Sequence, residues 1–241
     1  MSERFFKNSK IFLGINELLE DEARHIMASR IQIGNSIVLF NGDGKNYHGN
    51  LLNITKKSAI ISVYKFEENA SEKENQIIIA SPIPKGDREH FLVEKLVEIG
   101  VSCWIPLKTD RSIIHPKDKS FPRLNKYVIE ASKQCGRSKL MDIGPLTQWE
   151  DFINQFDESA DRWIAHISAT FDCMITDRQC SSQSKLLVGA VGPEGGFSDH
   201  EIESARGKGW KVANLGKTIL RIETAAFALA IKLSCSFSKS I

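Results

Sequence analysis

The sequence is short of the features that define several large protein classes. No apolar run approaches the ~20 residues that a membrane-spanning helix requires, so no membrane partner is expected. No signal-peptide pattern is present. The five cysteines, Cys103, Cys135, Cys173, Cys180 and Cys235, are odd in number, which points to reduced thiols in a cytoplasmic protein. None of them forms C-x-x-C and no H-E-x-x-H occurs, so no metal is expected. A formal net charge of +2 is too small to name a partner. Gly192, Gly195 and Gly196 do not fit the dinucleotide pattern G-x-G-x-x-G. Gly216-Lys217-Thr218 copies the end of a phosphate P-loop, but the glycine required five positions earlier is Lys211, which disfavours a nucleotide-hydrolysing enzyme.

What is present is an ordinary globular composition. The 241 residues are 41% apolar and 26% charged, enough for one large domain or two modest ones with ample core. The charge is unevenly spread. Lys108 to Lys139 holds nine Lys/Arg against three Asp/Glu, and Arg206 to Arg221 holds five Lys/Arg and no acid. Such clusters suit a phosphate backbone, or else form a solvated basic face.

Met1 to about Phe66 reads as mostly β. Ser36–Phe40 runs into the hairpin turn Asn41-Gly42-Asp43-Gly44, Tyr47–Ile54 and Ala59–Phe66 supply further strands, and Glu17–Ile31 reads as one helix. Phe5 and Phe6 read as core. The polar stretch Glu67–Asn75 reads as a linker, with the domain boundary near residue 72. Beyond it, apolar strands at Gln76–Ala80 and Trp104–Leu107 alternate with a helix over Asp87–Ile99 that ends at Gly100. This alternation indicates a parallel sheet. Helices are expected over Phe121–Cys135 and Thr147–Phe156, the latter with Trp149, Phe152 and Phe156 in the core, and Arg162–Ile167 reads as a strand.

Leu186 to Thr224 organises the rest. An apolar strand, Leu186–Val191, stops at Gly192-Pro193-Glu194-Gly195-Gly196; a Ser198-x-x-Glu201 capping box opens a helix; a strand over Lys211–Leu215 runs into a second glycine turn at Gly216. In a parallel sheet both turns fall at the carboxyl ends of strands, where open α/β folds bind ligands. Two plain tight turns are the competing reading. The following segment, Glu223–Ile231, is an alanine-rich helix suited to close packing within one subunit or across a dimer.

GPEGGFS followed by LGKTILRIETA resembles the signature of the RsmE family, the 16S rRNA (uracil-N3) methyltransferases of the SPOUT class. Two more blocks support the resemblance: PKGDR with EKLVEIGV and P-x-x-x-x-RS, and A-x-x-Q-x-x-R through Ala131, Gln134 and Arg137. Glu94 stands where the family usually has Gln, and no proline follows Arg137 at the usual place. The resemblance implies an N-terminal PUA-like β-barrel domain over 1–72 for RNA docking. It further implies a trefoil-knotted SPOUT-type α/β domain over 73–241, S-adenosylmethionine as cofactor, a homodimer, and 16S rRNA of the small ribosomal subunit as substrate.

Residue by residue, the resemblance implies cofactor seating by His166, Val191, Gly192, Pro193, Glu194, Gly195, Gly196, Leu215, Gly216, Ile219 and Leu220. RNA contact is implied for Arg4, Arg30, Lys85, Arg88, Lys95, Arg111, Gln134 and Arg137. The catalytic candidates are Arg221, to stabilise charge on the uracil or hold a phosphate, and Glu194 or Glu223, to accept the N3 proton, orient an arginine or cap a helix. Two other readings remain: a SPOUT methyltransferase with a different RNA target, and an RNA-binding ribosome-assembly module with a vestigial pocket.

Overall fold

The computed structural model describes residues 3–69, 76–113, 121–167 and 186–236. The chain divides into two compact units, Met1–Glu72 with Ile129–Leu140, and Lys73–Val128 with Met141–Ile241.

The first unit contains β1 (Arg4–Phe6), β2 (Gly14–Leu19), α1 (Glu20–Ala28), β3 (Ser36–Phe40), β4 (Lys45–Ile54) and β5 (Ser58–Glu68). The strands form one curled sheet in the order β1-β3-β4-β5-β2, antiparallel except for the parallel pair β1–β3. This half-barrel is the PUA-like architecture expected. Phe5, Leu18, Ile26, Ile37, Leu39, Leu51 and Ile61 fill its core, and Phe6 lies edge-on to Phe40 with ring centroids 5.4 Å apart.

The expected helix over Glu17–Ile31 is shorter at both ends. Glu17, Leu18 and Leu19 belong to β2 because they pair with Ile60, Ala59 and Ser58 of β5; a distant partner outweighs local helix propensity. At the other end Ser29 caps the helix, and Arg30 adopts φ 56, a left-handed conformation that breaks the helical run.

Residues 129–140 complete this unit. Arg4 donates to Asn46 Oδ1 at 2.9 Å, to the Arg137 carbonyl at 3.1 Å and to Ser138 Oγ at 2.8 Å, with its guanidinium 5.1 Å from the Phe40 ring centroid. The side chain expected to touch a phosphate is thus engaged in pinning β1 and β4 to residues 137–138. Arg4→Ala is expected to destabilise this unit by about 1–3 kcal/mol, since three acceptors lose a charged donor. A lowered thermal midpoint checks it; an unchanged one, with weaker RNA binding, would return Arg4 to the phosphate role.

The second unit contains β6 (Gln76–Ser81), α2 (Arg88–Ile99), β7 (Cys103–Lys108), the first part of α3 (Phe121–Cys135), β8 (Asp142–Ile143), β9 (Thr147–Gln148), α4 (Trp149–Asn154), β10 (Asp161–Ala165), β11 (Leu186–Val191), α5 (Asp199–Gly207), β12 (Lys211–Ala213) and α6 (Ile222–Ser236). Its sheet runs β12-β10-β11-β6-β7-β8, with β9 also on β7, and every pair is parallel. Both faces are covered, as parallel sheets require. Ala80, Ile105, Ile164, Val188 and Ala190 pack on one side with Trp149 and Phe152 of α4 and Ile202 and Ala205 of α5. On the other side α6 packs against β6, β11 and α2. A Cβ placed on Gly189 would lie 2.7 Å from Leu229 Cδ2, so the glycine in β11 allows α6 to lie directly on the sheet. The alanine-rich face of α6 therefore serves packing within the chain.

Thr147 and Gln148, expected to be helical, pair with Leu107 and Lys108 as β9. From edge strand β12 the chain returns to α6 over the middle of the sheet. The β10–β11 connection, 168–185, lies outside the described residues, as do Cys173 and Cys180. Cys135, at the end of α3, is exposed. Among the described residues no helix is long and apolar enough to cross a membrane, and no group of three or more His, Cys, Asp or Glu side chains is placed to hold a metal.

Candidate active site

Three strand ends meet at one edge of the second unit. β11 delivers the turn Gly192–Gly196, closed by Gly196 N–H donating to the Pro193 carbonyl at 2.8 Å. The expected capping box follows: Glu201 N–H donates to Ser198 Oγ at 3.2 Å and Ser198 N–H donates to Glu201 Oε2 at 2.8 Å. β12 delivers the second turn, in which Gly216 N–H donates to Asn214 Oδ1 at 2.8 Å. β10 delivers His166, whose N–H donates to the Ala213 carbonyl at 3.0 Å. Between these ends lies a cavity of about 280 Å³, at the carboxyl edge of the sheet where the sequence pattern located it.

His166, Val191, Gly192, Pro193, Glu194, Gly195, Gly196, Leu215, Gly216, Ile219 and Leu220 all line this cavity. Sequence reasoning missed Ala165, Ile167, Phe197, Asp199 and Ala225 in the lining; each is within five residues of one it assigned to the cofactor. It also gave Arg111 a different task. The Arg111 side chain lines the cavity and its Nη1 donates to the Gly195 carbonyl at 2.7 Å and the Phe197 carbonyl at 3.4 Å. The neighbouring Asp110 adds two links, N–H to Glu201 Oε1 at 2.9 Å and Oδ2 accepting from Ser198 Oγ at 2.7 Å. The loop after β7 thus braces the glycine turn from outside.

The catalytic candidates separate. Glu194 lines the cavity with its side chain 47% exposed. Glu223 is buried at the start of α6, outside the lining, and its Oε2 has no hydrogen-bond partner. Arg88 stands between them, Nη2 3.9 Å from Glu194 Oε1 and Nη1 3.7 Å from Glu223 Oε1. Arg221 is exposed and outside the lining.

The other residues proposed for RNA scatter. Lys95 donates to Glu94 at 2.9 Å and to Glu98 at 2.7 Å, and Glu98 followed by Glu94 holds its ammonium above the usual lysine range. Arg30 and Lys85 are exposed. Gln134 lies in a groove of the first unit beside Arg4, His25 and Lys133, and Arg137 is half-buried.

His166 has its imidazole pKa lowered, first by burial and then by Arg206, with Asp199 acting in the opposite sense. The native state resists a proton that the unfolded chain accepts near pH 6.5. The stability associated with neutral His166 is therefore complete above that pH and declines as pH falls below it. His166→Gln should flatten the loss of thermal stability as pH falls below about 6.5. Parallel melts of the two proteins check this; superimposable pH profiles would contradict it.

Comparison with known proteins follows the same lines. Residues 71–234 match the RNA methyltransferase domain family and residues 18–64 the RNA methyltransferase PUA domain. Ribosomal RNA small subunit methyltransferase E of Bacillus subtilis is 29% identical over 220 residues, 85% of this chain and 84% of that protein. The crystal structure of ribosomal RNA small subunit methyltransferase E from Neisseria gonorrhoeae, bound to S-adenosyl methionine, has a TM-score of 0.88 at 26% identity over 98% of both chains. A methyltransferase structure from Legionella pneumophila with bound cofactor SAM gives a TM-score of 0.86 at 28% identity, again over 98% of both. The parallel sheet, the glycine-turn cavity and these matches lead to one assignment: the chain belongs to the RNA methyltransferase family, in its RsmE branch, with a PUA-type domain and a SPOUT-type α/β domain.

Proposed function

We propose that this protein is an S-adenosylmethionine-dependent methyltransferase that forms 3-methyluridine at one uridine of 16S rRNA in the small ribosomal subunit, acting in the cytoplasm as a homodimer. The observation that carries this reading is the cavity at the ends of β10, β11 and β12. Glycines 192, 195, 196 and 216 bring backbone to its wall without side chains, and Leu215, Ile219 and Leu220 supply an apolar wall suited to a planar base. Glu194 and Asp199 supply carboxylates suited to ribose hydroxyls and a cationic ligand. The residues present fit S-adenosylmethionine, which supplies an electrophilic methyl group when bound.

Uridine N3 carries a proton, and neutral N3 is a poor nucleophile. The proton must leave as the N–C bond forms, and negative charge develops on the uracil. Of the three catalytic candidates Glu194 alone lines the cavity and is open to water, so it is assigned as the proton acceptor. The 1–72 region, Arg30, Lys85, Gln134 and Arg137 are assigned to docking the RNA. Arg221, exposed just before α6, is assigned to a phosphate near the target. The base has to leave its surroundings to reach the cavity.

The test is methylation of small subunits that lack the modification, using labelled S-adenosylmethionine and identification of the product nucleoside. A single 3-methyluridine is expected. Another methylated nucleoside would overturn the assigned atom. No incorporation with intact cofactor binding would favour an RNA-binding assembly module instead.

A further inference from the structure

We infer that Glu223 is a positioning residue: it anchors Arg88 beside the cavity, and Arg88 is the cation that faces the charge developing on the target uracil. This inference rests on the methyltransferase reading above. The Arg88 guanidinium is held on three sides. Its Nε donates to the Lys85 carbonyl at 3.1 Å, Nη1 stands 3.7 Å from Glu223 Oε1 and Nη2 stands 3.9 Å from Glu194 Oε1. The last two distances are ion pairs and not hydrogen bonds, so the Nη donors are directed but not consumed.

The two carboxylates differ in kind. The Glu194 side chain is 47% exposed and lines the cavity. The Glu223 side chain is 5% exposed, and its Oε2 is buried with no hydrogen-bond partner. A buried, incompletely bonded carboxylate is costly, and a nearby cation is the usual compensation. Glu223 also sits in the first turn of α6, where the helix dipole favours negative charge. Arg88 is therefore fixed from behind by a carboxylate that solvent does not reach. In front it meets one that a seated base displaces or leaves free to accept a proton. Arg221, by contrast, is exposed, a position better suited to a phosphate than to a desolvated base.

The geometry distinguishes this role from that of a general base. If Glu223 acts through Arg88, losing either residue removes the same interaction. In the full-length protein, Glu223→Gln and Arg88→Ala should each lower the methyl-transfer rate roughly 10- to 100-fold. Cofactor affinity should stay within about twofold, and the double variant should be no slower than Arg88→Ala alone. Multiplying losses in the double variant would overturn the proposal, as would full activity of Glu223→Gln.

A second measurement does not need turnover. The side-chain Nε–H of Arg88, followed by ¹⁵N relaxation, should be rigid in the parent protein and mobile in Glu223→Gln. Unchanged mobility would overturn the anchoring role even if activity fell. A parent protein that transfers no methyl group would instead overturn the proposed function, while the relaxation result would still decide whether Glu223 anchors Arg88.

Discussion

Gly192→Ala is expected to weaken S-adenosylmethionine binding about 100-fold, equivalent to about 2.7 kcal/mol. A Cβ on Gly192 would lie 3.0 Å from Phe197 N, 3.2 Å from Gly196 C and 3.2 Å from Phe197 Cδ2. Two of these are backbone atoms of the turn itself, so a new methyl is accommodated only if the turn opens. Phe197 cannot yield outward. It is 2% exposed, and its ring centroid is 4.5 Å from that of Trp149. Overpacking of this kind costs about 1–3 kcal/mol, and the strain falls on the segment that walls the cavity. Gly196 is restricted differently: its φ of +69 has no nearby atom to clash with a Cβ, so alanine there meets backbone strain of about 1–2 kcal/mol. Gly195 has neither restriction, since its added Cβ would stand 3.4 Å from Arg111 Cδ, an ordinary contact. Gly195→Ala should bind nearly as the parent does. Calorimetric titration with S-adenosylmethionine, alongside a melt to confirm folding, ranks the three. Affinity of Gly192→Ala within threefold of the parent would show that the turn does not shape the site.

That ranking marks where sequence reading stops. The pattern GPEGG identified the turn because its chemistry is local: an apolar strand interrupted by glycine and proline, then Ser198 and Glu201 at capping-box spacing. The same held for α2, ended by Gly100 at φ 94, and for the Trp149–Phe152–Phe156 group, which lies in or against the core. What sequence could not supply was the destination of long side chains and the identity of distant partners. Glu17–Leu19 carry a helix-like pattern, yet pair with residues about forty positions away. Four cations assigned to RNA have protein acceptors: Arg4 at residues 46, 137 and 138, Arg88 at residue 85, Lys95 on its own helix, and Arg111 at residues 195 and 197. A basic residue in a basic cluster looks the same in sequence whether its charge meets a phosphate or a carbonyl. Only the fold brings residue 111 to residue 195.

Arg111→Ala should therefore lower cofactor affinity about tenfold and leave RNA affinity, measured without cofactor, unchanged. The guanidinium donates to both the Gly195 and Phe197 carbonyls, which fixes the outer half of the turn. A hydrogen bond from a charged donor contributes about 1.5–3 kcal/mol, and solvent exposure of Arg111 places it at the low end, near the ~1.4 kcal/mol of a tenfold change. The fold should survive, because Asp110 still reaches Glu201 and Ser198 and Phe197 remains buried. Arg111→Lys should fall between, since an ammonium lacks the planar fork that spans two carbonyls. Calorimetry with S-adenosylmethionine and filter binding with a 16S rRNA fragment read the two affinities separately. If RNA affinity falls while cofactor affinity holds, Arg111 leaves the turn for a phosphate when RNA arrives, and the link to Gly195 belongs to the resting enzyme alone. If both fall together, the turn and the RNA surface share this cation, and cofactor and substrate binding are coupled through it.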